Sequence, residues 1–165
     1  MKKILLFIFV FYVLALFQTS FLVHFSIFNI VPNFIFILIF TFNFIERPDK
    51  KLGFFVAGIG GFYLDLFSGF QIGTSIIVLL FLAYLIKRLL NFLMEENIVL
   101  FLPCFVFFYL LYKFLLVFVN SIFEMSFSSL FVLDKIIIFD ILYNLIFSVF
   151  IYSLIKICLL KIIRK

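Results

Sequence analysis

From Ile4 to Ile45 the sequence contains no Asp, Glu, Lys or Arg, and this uncharged stretch decides what kind of fold the chain can adopt. A helix needs about 20 apolar residues to cross the hydrocarbon core of a bilayer, so the stretch is long enough for two. Nothing downstream offsets it. With 68% hydrophobic and 13% charged residues, the chain has too little polar surface to enclose a core in water. The expectation is an integral membrane protein made of one domain, residues 1–165.

Polar punctuation divides the chain into six predicted spans. The segment "VHFSIFNIVP" separates helix 1 (about 4–23) from helix 2 (about 32–45), with Asn29 as a turn or cap and Pro32 and Asn33 at the start of helix 2. The charged turn "ERPDKK" precedes helix 3 (about 52–67), which is short for a span and is therefore tilted, broken or partly re-entrant. Helix 4 (about 72–86) ends at "KRLLNFLMEEN", helix 5 covers about 98–119 with Pro103 near its start, and helix 6 covers about 136–160. Residues 120–135 alternate polar and apolar groups and are expected to lie at the outer interface.

Charge orients the array. If the N-terminus is cytoplasmic, then Lys2, Lys3, Arg47, Lys50, Lys51, Lys87, Arg88, Lys156, Lys161, Arg164 and Lys165 are inside, 11 of the 13 basic residues. The outer connections after helices 1 and 3 carry no Lys or Arg, so the positive-inside rule favours six spans with both termini in the cytoplasm. The competing reading is a cleaved signal peptide ending near Ala15. Against it, the apolar run continues past Ala15 and the charge alternation works with helix 1 retained.

Chemistry-bearing patterns are sparse. His24 has no Cys, Asp or Glu near it, Cys104 and Cys158 lie in apolar runs without metal-ligand spacing, and "GIGG" lacks the Lys and Ser/Thr of a phosphate loop. No catalytic, metal-binding or cofactor-binding residues are therefore assigned. An enzyme is disfavoured, membrane lipid is the expected surrounding, and no nucleic-acid partner is expected.

Five of the six glycines crowd into "GIGGFYLDLFSGFQIG", residues 58–73, together with Asp65. Gly53, Ala57, Gly61 and Asp65 recur every four residues, and Gly69 and Gly73 continue the spacing. Small residues four apart on a helix let a second helix approach closely, which predicts a packing ridge leading to Asp65. A carboxylate in that position is expensive toward lipid and better placed inside the bundle. By helix rise, Asp65 and Lys113 both lie about 20 Å from the inner ends of their helices, and Asp140 falls in the same outward half. The two open arrangements are a polar cluster of Asp65, Lys113 and Asp140, or separate snorkelling of each to the outer headgroups.

"VPNFIFILIFTF", the charged turn and "GIGGFYLDLFSGFQIGTSIIVLLFLAYL" together resemble the bacterial rod-shape-determining MreD family. The resemblance rests on Pro32 and Asn33, on Gly61, Asp65, Gly69 and Gly73, and on Ala83 and Tyr84, and covers about residues 30–86, with Asn33 where the family has an acid. It implies a non-enzymatic inner-membrane scaffold subunit of the cell-elongation machinery. The implied partners are MreC, the actin-like MreB and the glycosyltransferase and transpeptidase of the lateral wall. It also implies a compact all-α six-helix bundle similar to the substrate-binding subunits of energy-coupling-factor vitamin transporters. A vitamin-transporter subunit is accordingly the alternative function.

Overall fold

The computed structural model describes residues 2–26, 30–46, 49–68, 71–91, 98–124 and 136–163. These form six helices: α1 (Lys2–Leu16), α2 (Phe34–Ile45), α3 (Leu52–Ser68), α4 (Thr74–Leu90), α5 (Ile98–Glu124) and α6 (Ile136–Ile163). Past Leu16, α1 loosens into a π turn at Phe17–Phe21 and a 3-10 turn at Leu22–Phe25. The Thr19 hydroxyl bonds back to the Ala15 carbonyl there at 2.9 Å, a contact that competes with regular helix geometry.

α2 forms the centre of the bundle. Apart from Thr41 and Asn43 it is apolar on every side, and Ile35, Phe36, Ile37, Ile39, Phe40, Phe42 and Phe44 are all buried, as expected for a helix enclosed by others. Packed around it are α1, α3, α4 and α6. On its remaining side Phe36, Phe40 and Phe44, spaced one turn apart, meet Phe101, Phe105 and Tyr109 of α5. Ring centroids lie 5.3 to 6.0 Å apart, mostly edge to face. The phenylalanine excess is thus divided between this interior ladder and the exterior, where Phe9, Phe107, Phe114 and Phe150 are exposed.

Three helical stretches, Ile4–His24, Ile98–Phe123 and Ile137–Ile155, are long and apolar enough to cross a membrane, and they suggest a membrane protein. The other three helices are shorter. α2, at 12 residues, rises only about 18 Å against a hydrocarbon core of about 30 Å.

Several expected boundaries shift. α2 begins at Phe34, so Pro32 lies ahead of the cap instead of in the first turn. The reason is Asn33, whose side-chain oxygen accepts the Phe36 N–H at 3.0 Å and fixes the start. α4 continues to Leu90, and Lys87, expected in the turn beyond it, is buried within its last turn, as described below. α5 runs to Glu124, so the segment expected at the interface from 120 onward begins as helix. Its remainder, 125–135, lies outside the described residues, as do Asn29, Arg47, Pro48, Gly69 and 92–97.

Candidate functional site

The small residues of α3 do not serve one neighbour. A Cβ on Gly61 would lie 2.7 Å from the Ile76 Cα of α4, so backbone meets backbone at that crossing. At Gly53 a Cβ would collide with the Asn43 and Glu46 side chains of α2, and at Gly60 with Ile39 of α2 and Phe11 of α1. Ala57 is fully buried. Gly60 was not part of the four-residue spacing, yet it makes the contact with α1, because successive steps of four rotate around the helix and leave room for a second face. Gly73 has a φ of +108°, a conformation that favours glycine, and it ends the turn that starts α4.

Asp65 is 2% exposed. Its two carboxylate oxygens accept the backbone N–H groups of Gly73, at 2.7 Å, and Ser75, at 2.8 Å. It therefore caps α4 from the neighbouring helix, with a negative charge at the positive end of the helix dipole. One of the two open arrangements, the joint cluster, is corrected here: among the described residues Asp65 makes no ion pair with Lys113 and shares no hydrogen-bond partner with Asp140. Two N–H groups left unpaired at the start of α4 are closer partners than a lysine on α5, and they use both oxygens.

Lys113 and Asp140 do come together, at 2.8 Å between α5 and α6. Asp140 also accepts the Tyr109 hydroxyl at 2.9 Å and the Asn144 amide at 2.8 Å. Asn144 extends the network to α2, where its oxygen accepts the Asn33 backbone N–H at 2.7 Å, while the Asn33 amide donates to the Tyr112 hydroxyl at 3.3 Å. Asn33 thus starts α2 and fastens that start to α5 and α6. Asn144, Tyr109 and Tyr112 were missed from sequence. Their signal is spacing, since Asn144 follows Asp140 by one turn on α6 and Tyr109 precedes Lys113 by one turn on α5.

A second missed cluster lies at the opposite end of α2. Glu46 and Lys87, both read as charges of cytoplasmic turns, are buried and pair at 2.7 Å. The same Glu46 oxygen accepts the Gly53 N–H at 2.7 Å, and the Lys87 ammonium also donates to the Lys50 carbonyl at 2.7 Å. Asn43 adds bonds to the carbonyls of Ile39 and Gly53. Lys87 follows the buried Ala83 by one turn, so the apolar periodicity of α4 already put its side chain on the inner face.

His24 is exposed and bonds to the Ser20 carbonyl through Nδ1 at 3.0 Å; Cys104 is half-buried. Among the described residues no three His, Cys, Asp or Glu side chains converge as metal ligands would. Comparison of the chain with family models, with curated proteins and with solved structures finds no match.

Proposed function

We propose that the protein is a multi-pass membrane scaffold, a subunit whose work is to hold a fixed shape in the bilayer and present its outer surfaces to partners. One observation carries this reading: the buried charged side chains are committed to joining helices. Glu46 and Lys87 tie α2, α3 and α4, Asp65 ties α3 to α4, and Asp140 ties α5 to α6. Polar groups in a membrane interior are expensive, and fixing one packing arrangement is a use that repays them. In this reading all six helices cross the bacterial inner membrane, and both termini are cytoplasmic, as the basic residues favour.

More specifically, the protein acts as an MreD-type subunit of the cell-elongation machinery, alongside MreC and, through it, MreB and the lateral-wall glycosyltransferase and transpeptidase. Supporting this are the Pro32–Asn33 and Gly61–Asp65–Gly73 positions, which carry the motif resemblance and also occupy the helix starts and crossings described above. The test is depletion of the protein in its bacterium combined with affinity purification of a tagged copy in mild detergent. Rounded cells and co-purified MreC are expected. Normal cell shape with co-purified ATP-binding transporter subunits would contradict the reading and favour vitamin uptake.

A further inference from the structure

Asp140 is nearly enclosed, and two neutral donors, the Tyr109 hydroxyl and the Asn144 amide, hold it from inside the bundle. Lys113 reaches it from the outside. Its side chain is 46% exposed, against 11% for Asp140. An ammonium has three N–H donors. Among the described residues Asp140 accepts one, and the Tyr109 ring lies 5.5 Å from Nζ, which leaves donor capacity directed away from the bundle. The surface there is apolar, since Leu110 and Phe114 on the same helix are 42% and 60% exposed. In hydrocarbon, unused ammonium donors are costly unless a polar group arrives from the surrounding phase.

The height of Lys113 identifies that group. Tyr112, the preceding residue, accepts the amide of Asn33 at the start of α2, so Lys113 is level with the end of the central helix. It lies about 22 Å along α5 from Ile98, and Asn120 follows about 10 Å further on. With a hydrocarbon core of about 30 Å entered at Ile98, Lys113 lies about 8 Å from its outer edge, and because Asp140 and the Tyr109 ring hold Nζ in place, the phosphate reaches it by local thinning of the bilayer. Asp140 offsets the charge of Lys113, so the contact is a charge-assisted hydrogen bond to a phosphate and does not need a net anionic lipid.

We propose that Lys113, braced by Asp140, binds the phosphate of a membrane phospholipid on the α5–α6 face, with the acyl chains along Leu110 and Phe114. The proposal rests on the membrane reading and is independent of any role in cell shape. It is tested on the full-length protein, delipidated in detergent and titrated with phosphatidylglycerol, phosphatidylcholine or diacylglycerol under native mass spectrometry. Both phospholipids are expected to bind about tenfold more tightly than diacylglycerol, in keeping with one charge-assisted hydrogen bond. Lys113→Met should erase that preference and Lys113→Arg should keep it.

Equal binding of all three lipids by the unsubstituted protein, or an unchanged preference in Lys113→Met, overturns the site. Equal binding in the first comparison overturns the site even if Lys113→Met does not fold, and loss of the preference in Lys113→Gln would then assign it to Lys113. A photo-crosslinking residue in place of Leu110, activated in native membranes, should yield phospholipid adducts; a protein adduct would overturn the proposal in favour of a partner helix. Carbonate extraction separates the two readings. Release of the chain from membranes defeats the membrane reading itself, whereas a retained chain without the phosphate preference defeats only the lipid site.

Discussion

At Gly61 a single hydrogen in place of a side chain sets how close α3 and α4 can come. A methyl group there would press on the α4 backbone, which cannot swing away as a side-chain tip can. Gly61→Ala is expected to destabilise by about 1–3 kcal/mol and Gly61→Leu by more. Gly58, whose nearest neighbour would be a Leu80 methyl at 4.0 Å, should respond oppositely. Gly58→Ala is expected to stabilise by about 0.5–1 kcal/mol through helix propensity alone. Fluorescence-detected gel filtration after heating checks both, and equal tolerance at the two positions would remove the close-crossing argument. Asp65→Ala should cost about 1–3 kcal/mol by orphaning two N–H groups, with Asp65→Asn milder because one amide oxygen still accepts. Combined with Lys113→Met, the loss should be additive, since Asp65 and Lys113 share no partner; rescue in the double variant would mean that they do.

Elements were legible in the sequence to the extent that hydropathy wrote them. The uncharged stretches gave the six helices to within a few residues at most ends, and the small residues of α3 were visible as a packing surface. What escaped was which neighbour each residue meets. Spacing puts Asp65 on a face, but whether that face meets α4 or α5 depends on crossing angles that one helix does not encode. Glu46 and Lys87 escaped for a different reason, because a charge beside a turn is usually solvated and only the register with Ala83 marks Lys87 as inward. The Glu46–Lys87 pair, which binds three helices at one end of α2, is open to a double-mutant cycle. Lys87→Met alone leaves a buried carboxylate without its cation and should cost about 3–5 kcal/mol. Glu46→Gln with Lys87→Met should cost less than the sum of the single changes, measured as thermal stability in detergent; strict additivity would show that the pair is not coupled.

For the whole molecule, the short α2, α3 and α4 contrast with the longer apolar stretches Ile4–His24, Ile98–Phe123 and Ile137–Ile155, so a bilayer around the proposed six-span bundle would meet helices of unequal length. A helix of about 18 Å can sit in the middle of a membrane protein only when others cover its ends, and the Asn33–Asn144 and Glu46–Lys87 contacts fasten those ends to neighbouring helices. This architecture requires an even number of crossings if both termini are to face the basic side. The direct measurement is a set of reporter fusions at Lys51, Gln71 and Lys165, using one reporter active only in the cytoplasm and one active only outside it. Cytoplasmic activity at Lys51 and Lys165 and external activity at Gln71 are expected. External activity at Lys51 or Lys165 would contradict the six-span arrangement on which the proposed scaffold depends.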